Sequence, residues 1–463
     1  MHQAYEGTTK AHSTLTRLTA KLGGLTSRRA IGAAAAAALT SVAFLRSTTM
    51  EPDALANRRD NKPAPEGPCG DGSGKDNRCK RNRDCCTNFC DTGIRRCRYK
   101  ALGESCGNGE QCRPRSTCID NICVTGSPVT SPTPAPTNTP APAPSWTYAS
   151  QFGTAGSGPS NLDGPYGLCM SSNLLTMWVT ETANNRVSVW TRPNISSSTW
   201  TSVAQFGTSG SGLGNLGSPT GVTVSSDTLT AYVTDFLNDR VSIWTRPDAN
   251  STSWSNVTTF GTQGFGPSNF VRPNDVALTP DELTLLVTDG QLSRVCIWSR
   301  PDTSSTSWSP VTQFGSNGNG LQKFNTPNGI VLSADGLTAY IADYFNYRVA
   351  VWTRPDTSST TWTGITTIGA PYGATNWFNP GKVFASADQL TVWVTDIEHN
   401  QVSEWTRPDT ASTTWSFSTA FGSIGSGNSN FDFPVGIVVN GAKDRAWIAD
   451  NNNDRIVTWE ILE

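Results

Sequence analysis

The chain has 463 residues, a formal net charge of −2 at pH 7 and 36% hydrophobic residues, which is enough apolar material for a folded core. A near-neutral charge gives no sign of a nucleic-acid surface, which needs clustered positive charge. Only three histidines occur in the whole chain, and this excludes a zinc centre built on several histidine ligands.

Residues 1–56 have the organisation of an export signal and its cleavage region. Ser27-Arg28-Arg29 precedes an apolar stretch from Ile31 to Leu45, which is shorter than the roughly 20 residues that span a bilayer. The paired arginines resemble the bacterial twin-arginine signal, although the Phe-Leu-Lys tail of that motif is absent. Ala54-Leu55-Ala56 is a suitable cleavage site. The alternative is an uncleaved N-terminal anchor; with cleavage, the mature chain has no transmembrane span.

A short linker, residues 57–68, leads to a cysteine-rich module at 69–124. Ten of the twelve cysteines of the chain lie there, and an even, dense set behind an export signal predicts a disulfide-stabilised module with little core. No Cys-x-x-Cys pair and no histidine accompany them, which argues against zinc. The cysteines are Cys69, Cys79, Cys85, Cys86, Cys90, Cys97, Cys106, Cys112, Cys118 and Cys123. The order of the first six, with an adjacent pair in the middle, resembles inhibitor cystine-knot (knottin) modules.

This module is basic, because 11 Lys and Arg stand against 7 Asp and Glu between residues 69 and 124. The excess predicts either an ordinary solvated surface or contact with an anionic cell-envelope polymer. Residues 125–145 are rich in Pro, Thr, Ala and Ser, a composition that favours an extended spacer rather than a core.

Residues 146–463 contain six copies of one unit. The tryptophan that ends an Arg-Val-x-x-Trp run recurs at steps of 54, 54, 54, 53 and 54 residues, and a second tryptophan recurs once per unit. The first set is Trp190, Trp244, Trp298, Trp352, Trp405 and Trp459; the second is Trp146, Trp200, Trp254, Trp308, Trp362 and Trp415. Repetition at fixed positions favours packing between units over stacking on sugars.

Each unit contains four short runs rich in β-branched and aromatic residues, and the second run is apolar on both faces, as in Met177-Trp178-Val179. A sheet that is covered on both sides in a repeat protein predicts a β-propeller. The last unit ends after three strands, and residues 146–152 form a strand without a unit of its own. The sequence therefore predicts an all-β, six-bladed propeller closed by one N-terminal and three C-terminal strands.

The repeated motif resembles the NHL repeat. It occurs as Pro327-Asn328-Gly329-Ile330, Ile341-Ala342-Asp343, Asn346 and Arg348-Val349, and again from Pro434 to Ile456. The resemblance covers about two thirds of the chain. Six-bladed propellers related to this family include metal-dependent lactonases and amidating lyases, so it leaves an enzyme open as an alternative.

One acidic residue ends the second strand of each unit, and an arginine follows five residues later in all units except the fifth, which has Gln401. The acids are Glu181, Asp235, Asp289, Asp343, Asp396 and Asp450. A ring of acids invites a metal or catalytic interpretation. We favour a structural role, in which the acid accepts backbone N–H groups in the hairpin turn and the arginine balances its charge.

The functional prediction rests on the positions at which one unit has a different residue from the others. The inner strand opens with Gly in four units, whereas the third has Asp275 and the fifth has Lys382. We predict that these two charges lie at the mouth of the central channel and form a ligand-binding site with Trp377, Glu398 and His399. The alternative is sequence drift at a pore opening.

The sequence contains little that predicts catalysis. No inner strand carries Glu, one aspartate is too few for a calcium site of about 6–8 oxygens, and His399 has no nucleophile motif nearby. Cys169 and Cys296 lie in strands and are expected to be buried thiols. We expect no metal or cofactor.

The predicted function is an exported propeller, secreted or attached to the cell envelope, that binds a protein, peptide or glycan and no nucleic acid. The alternative is a hydrolase or lyase acting at the channel.

Overall fold

The structure is a computed structural model that describes residues 145–369 and 378–461, together with four short strands before them. The chain divides into two compact units, Met1–Ala141 and Pro142–Glu463. No helix in the described part of the chain is long and apolar enough to cross a membrane.

The first unit contains two described hairpins. β1 (Cys90–Asp91) pairs with β2 (Arg96–Cys97), and β3 (Ser116–Ile119) pairs with β4 (Ile122–Thr125), both antiparallel. The register places Cys90 opposite Cys97 and Cys118 opposite Cys123. The other six predicted disulfide cysteines lie outside the described residues, and the disulfide-rich, knottin-like module stays a prediction.

The second unit is a six-bladed β-propeller, as the sequence predicted. β5 (Trp146–Phe152) precedes the first blade. Blade one contains β6 (Pro165–Met170), β7 (Thr176–Glu181), β8 (Arg186–Thr191) and β9 (Thr201–Phe206). A short parallel pair, β10 (Thr208–Ser209) and β11 (Asn215–Leu216), lies in the following loop. Blade two contains β12 (Pro219–Val224), β13 (Thr230–Asp235), β14 (Arg240–Thr245) and β15 (Ser255–Phe260).

The remaining blades repeat this plan. Blade three contains β16 (Pro273–Leu278), β17 (Thr284–Asp289), β18 (Arg294–Ser299) and β19 (Ser309–Phe314). Blade four contains β20 (Pro327–Leu332), β21 (Thr338–Asp343), β22 (Arg348–Thr353) and β23 (Thr363–Ile368). Blade five contains β24 (Pro380–Ala385), β25 (Thr391–Asp396), β26 (Gln401–Thr406) and β27 (Ser416–Phe421). Blade six contains β28 (Pro434–Val439), β29 (Arg445–Asp450) and β30 (Arg455–Ile461).

Single 3-10 turns at Phe236–Asn238, Tyr344–Asn346 and Asn451–Asn453 connect the second and third strands of blades two, four and six. The ring closes through β5, which pairs antiparallel with β30 and becomes the outer strand of blade six. This arrangement confirms the predicted closure by one N-terminal and three C-terminal strands.

The core lies between the blades. Second strands are buried on both faces, and hydrophobic clusters join each blade to its neighbours. Phe152 shows the repeated packing: its ring lies 4.9 Å from that of Trp190 and 5.4 Å from that of Trp200. Such aromatic pairs add about 0.5–1.5 kcal/mol each beyond the burial of their area. Ten of the twelve repeated tryptophans are buried and the other two, Trp254 and Trp415, are half-buried, which agrees with a packing role.

A carboxylate of blade five contacts the closing strand, and no other blade has an acidic residue at this position. Glu404 stands on β26 where blades one to four have Val or Ile. Its Oε2 accepts hydrogen bonds from the indole N–H groups of Trp146 and Trp393, each at 3.0 Å. Because Trp146 begins β5, this carboxylate ties the closing strand to blade five.

We predict that Glu404→Val lowers the free energy of unfolding of the full chain by about 1–3 kcal/mol, because two indole N–H groups lose their acceptor. Glu404→Gln keeps an acceptor oxygen and should lose less. Denaturant unfolding followed by tryptophan fluorescence measures both, and equal stability of Glu404→Val and the parent chain would contradict the prediction.

Candidate functional site

The loops between blades and the turns between second and third strands lie at the same end of the propeller. Antiparallel pairing places Pro165 opposite Glu181 and Glu181 opposite Arg186, so the first strand begins where the second one ends. We call this end the top face. Its described segments are residues 153–164, 182–185, 207–218, 236–239, 261–272, 290–293, 315–326, 344–347, 378–379, 397–400, 422–433 and 451–454.

The two unusual charges of the inner strands form an ion pair with each other. Lys382 Nζ lies 2.9 Å from Asp275 Oδ1, and the two side chains are 6% and 13% exposed. Asp275 belongs to blade three and Lys382 to blade five, so the pair reaches past the inner strand of blade four. Both residues lie on the inner strands of their blades, and each neutralises the charge of the other.

Further contacts connect this pair to three other inner-strand residues. Asp275 Oδ2 accepts the backbone N–H of Ile330 at 3.0 Å, and Lys382 Nζ lies 3.4 Å from the carbonyl oxygen of Asn274 and 5.6 Å from the centre of the Tyr166 ring. The amide of Asn328 donates to the Tyr166 hydroxyl at 3.4 Å.

Blades one and four stand opposite each other in the ring, so the Asn328–Tyr166 hydrogen bond crosses the axis. We call Tyr166, Asp275, Asn328 and Lys382 the axial cluster. Sequence analysis missed Tyr166 and Asn328. The sequence does show a polar side chain directly after the proline that opens each of these two strands. The contact between the two side chains, however, forms only when the ring is closed.

Burial controls the protonation of the axial cluster. It raises the pKa of Asp275 and lowers the pKa of Lys382, and in each case the charge of the other residue opposes the shift. Burial also raises the pKa of Tyr166 to about 12, so this phenol stays neutral at physiological pH. The ion pair makes this largely buried group electrically neutral as a whole.

Glycine at the equivalent positions of the neighbouring blades makes room for these charges. A Cβ atom on Gly221 would lie 2.4 Å from Asp275 Oδ1, and one on Gly329 would lie 2.8 Å from the Cα of Lys382. The repeat glycine is therefore required beside each charged residue.

The acid that ends each second strand organises the top-face loops. In five blades the arginine Nε lies 2.7–3.0 Å from the carboxylate, and every one of these carboxylates is fully buried. The pairs are Glu181–Arg186, Asp235–Arg240, Asp289–Arg294, Asp343–Arg348 and Asp450–Arg455. This confirms the structural role that the spacing predicted.

Blade three shows what each acid–arginine pair holds. Asp289 accepts the backbone N–H of Val271 at 3.1 Å, and Arg294 donates to the carbonyl oxygens of Phe265, Gly266 and Asn269 at 3.3, 3.1 and 2.8 Å. Asp289 also has the expected backbone hydrogen bond from the hairpin turn, donated by Leu292, so the loop before the inner strand adds a second backbone donor. A buried carboxylate next to this loop gives its N–H group a partner.

Blade five departs from this arrangement. Gln401 replaces the arginine, and His399 replaces the asparagine that contacts the acid in blades one, two, four and six. Asp396 is fully buried; His399 Nδ1 lies 2.6 Å from its Oδ2, and Gln401 Nε2 donates to the same oxygen at 3.3 Å.

The structure distributes the five predicted site residues unevenly. Asp275 and Lys382 meet in the axial cluster, whereas His399 belongs to the acid group of blade five. Glu398 is exposed beside it and raises the pKa of the phenol of Tyr344, in addition to the larger effect of burial, so Glu398 lies near the turn of blade four. Trp377 lies outside the described residues. The ligand-binding role of these residues stays a prediction.

The top face is poor in exposed charge and carries apolar side chains at its loop tips. Phe265, Ile424 and Leu213 are 82%, 71% and 66% exposed. The charged residues of its described segments are Asp163, Asp239, Arg272, Lys323, Glu398, Asp432 and Asp454, of which Asp239 and Asp454 are buried. A rigid backbone presenting apolar tips among Gly, Asn and Ser is suited to recognising a neutral or weakly charged surface.

The two cysteines of the propeller are free thiols, and burial raises the pKa of both Cys169 and Cys296 to about 12. Thiols with such pKa values stay protonated and are poor nucleophiles at neutral pH. Within residues 145–369 and 378–461, no three His, Cys, Asp or Glu side chains are grouped as metal ligands.

No protein-family model matches the chain, and no curated protein sequence matches it. Solved structures are similar in architecture. The periplasmic gluconolactonase PpgL of Pseudomonas aeruginosa is 18% identical with a TM-score of 0.47, and the alignment covers 68% of this chain and 92% of that one. A candidate 6-phosphogluconolactonase of Bacteroides uniformis is 12% identical with a TM-score of 0.49, covering 67% and 91%.

A protein of unknown function from Desulfotomaculum acetoxidans is 16% identical with a TM-score of 0.45, covering 65% of this chain and 83% of that one. Identities this low describe the fold alone. The activities named for these proteins are their own.

We predict that removing either member of the axial ion pair costs about 3–5 kcal/mol of unfolding free energy, because the other charge is left buried without a partner. The test compares Asp275→Gly, Lys382→Gly and the double variant, which gives both strands the glycine of the other four blades. The double variant should lose clearly less than the sum of the single variants. Additive losses in denaturant unfolding would show that the two charges do not stabilise each other.

Proposed function

We propose that this protein is an exported binding protein whose propeller, of the NHL-repeat type, recognises a protein, peptide or glycan through its top face. The observation that carries the proposal is the presentation of exposed apolar loop tips on a backbone that the acid–arginine pairs hold in place. Phe265 is the clearest example, since its own carbonyl oxygen accepts a hydrogen bond from Arg294. An ordered loop loses little conformational entropy on binding, and an exposed aromatic tip supplies contact area.

The NHL assignment rests on the motif residues and on what each does in the fold. The Ala-Asp end of the second strand supplies the buried acid, the Asn contacts it from the turn, and the Arg joins it to the loop. Residues 1–56 as a signal, 69–124 as a disulfide-rich module and 125–145 as a spacer complete the proposed organisation, with 146–463 as the propeller. The basic module would attach to an anionic cell-envelope polymer.

The alternative predicted from the sequence, a hydrolase or lyase acting at the channel, would use the charged groups on the axis. Those groups are engaged with each other, since Lys382 and Asp275 form a buried ion pair. A binding role needs no free acid or base on the axis, and for this reason we propose it first and keep the hydrolase or lyase as the alternative.

The repeat itself supplies the variants that test this proposal. Ser stands at the position of Phe265 in the loops of blades one, two and six, and Asn428 stands at the position of Leu213 and Leu321. The triple variant Leu213→Asn, Phe265→Ser and Leu321→Asn should therefore fold. Ile195→Ser is the matched control, because Ile195 is 58% exposed in a turn between third and fourth strands, at the opposite end of the propeller.

The full chain is applied to a printed glycan array and to a displayed peptide library. We predict that ligands selected by the parent chain bind the triple variant at least about tenfold more weakly, the equivalent of 1.4 kcal/mol, and bind Ile195→Ser unchanged. Equal binding by the triple variant would exclude these loop tips as the recognition surface, and a chain that selects no ligand from either set would contradict the binding role.

A further inference from the structure

We propose that Asn194 and Asn250, in the turns between the third and fourth strands of blades one and two, are acceptor sites for N-linked glycans. The proposal rests on the export that the proposed function includes, because this modification belongs to secreted chains. The substrate class is an oligosaccharide carried on a polyprenyl diphosphate. Both turns lie at the end of the propeller opposite the top face, so the glycans leave the proposed recognition surface free.

The sequence motif for this modification is Asn-x-Ser/Thr, with x other than proline. It occurs three times in the chain, as Asn194-Ile195-Ser196, Asn250-Ser251-Thr252 and Asn256-Val257-Thr258. The motif alone does not make an acceptor, because the side-chain amide must also be exposed and free to react. The structure separates the three copies by this criterion.

The first two copies have free, exposed amides. Asn194 and Asn250 are exposed, and within the described part of the chain neither side-chain nitrogen donates a hydrogen bond. The Oδ1 atom of Asn194 accepts the backbone N–H of Ser196 at 3.0 Å, an Asx turn that keeps the serine of the motif close to the amide. Ser196 and Thr252 are themselves exposed, so a transferase can reach the whole motif in both turns.

The third copy has the opposite arrangement. Asn256 is half-buried on the outer strand of blade two, and its Nδ2 donates to the carbonyl oxygens of Ile243 at 2.8 Å and Thr258 at 3.2 Å. Its Oδ1 accepts the backbone N–H of Gly214 at 3.1 Å. Both ends of this amide are engaged in the fold, so Asn256 is a poor acceptor in the folded chain.

The reaction is a transfer of the sugar from oxygen to nitrogen. The side-chain nitrogen of Asn194 or Asn250 attacks the anomeric carbon of the oligosaccharide. The C–N bond forms as the bond from that carbon to the diphosphate oxygen breaks, and the polyprenyl diphosphate leaves. The amide nitrogen gives one proton to a base of the oligosaccharyltransferase, so no oxidant or reductant is needed.

The repeat supplies variants that remove each acceptor and keep each turn. Blade three has Asp302 at the position of Asn194, and Asp302 accepts the equivalent backbone N–H, that of Ser304, at 2.9 Å. Asn194→Asp therefore preserves the turn without an amide nitrogen. Ser304 stands at the position of Asn250, so Asn250→Ser makes the same change in blade two.

The experiment treats the folded full chain, produced in a host without N-glycosylation, with a purified oligosaccharyltransferase and dolichyl-diphosphate di-N-acetylchitobiose. Mass spectrometry of the intact chain counts the glycans, and peptide mapping locates them. Asn194→Asp, Asn250→Ser and the control Asn256→Ser are treated in parallel. The parent chain digested with trypsin beforehand shows how each motif reacts without the fold.

We expect one glycan on each of Asn194 and Asn250 in the folded chain. Modification of Asn256 should be at least about tenfold lower, because its amide must first give up its hydrogen bonds. Asn194→Asp and Asn250→Ser should each lose one glycan, Asn256→Ser should keep both, and the digest should be modified at Asn256 as well. No transfer to the folded chain, or equal transfer to all three motifs in it, would overturn the inference.

Because the reaction bypasses export and contains no ligand of the top face, its result is independent of the array experiment. Transfer to Asn194 and Asn250 without any ligand on the arrays would support the acceptor sites and contradict the binding role. Ligand binding on the arrays without transfer to the folded chain would leave the binding role standing and overturn the acceptor sites.

Discussion

A buried carboxylate at the end of each second strand is the interaction on which the top face of this propeller depends. A buried carboxylate cannot stay without partners, and in blade four Asp343 pairs with Arg348, accepts a hydrogen bond from Asn346 and accepts the backbone N–H of Asn325 in the loop before the inner strand. The arginine in turn donates to carbonyl oxygens of the same loop. Loops made largely of Gly, Asn and Ser, which have little tendency to order themselves, are thereby held by charge-assisted hydrogen bonds.

The fold was predictable because its determinants are local and repeated. Tryptophans at a period of 54 residues, β-branched runs between turns and a second strand that is apolar on both faces leave few architectures other than a propeller. The acid–arginine pairing was predictable too, since the two residues stand opposite each other on neighbouring strands, as Asp343 and Arg348 do.

The non-repeated contacts were harder to predict. Asp275 and Lys382 are 107 residues apart, and nothing in either strand shows that the side chains meet past an intervening blade. The hydrogen bond between Tyr166 and Asn328 exists only because closure places blades one and four face to face. The arginine contacts with loop carbonyl oxygens were also missed, because backbone oxygens leave no mark in a sequence pattern.

The differences between blades carry the functional account. Six identical blades would present six equivalent loops. Selectivity for a ligand would therefore depend on residues that differ between blades, such as Phe265 on a loop tip or His399 beside a buried acid. The two charges of the axial cluster neutralise each other, which is one reason that we propose recognition by the surrounding loops.

The most direct test of this account is the hydrogen–deuterium exchange of residues 261–272 in the full chain and in Arg294→Gln, with the equivalent loop of blade four, residues 315–326, as the internal control. If the acid–arginine pairs hold the loops, the substitution should raise exchange in 261–272 by about tenfold or more and leave 315–326 unchanged. Unchanged exchange in 261–272 would contradict the account, because the loop would then be ordered by its own backbone and not by Arg294.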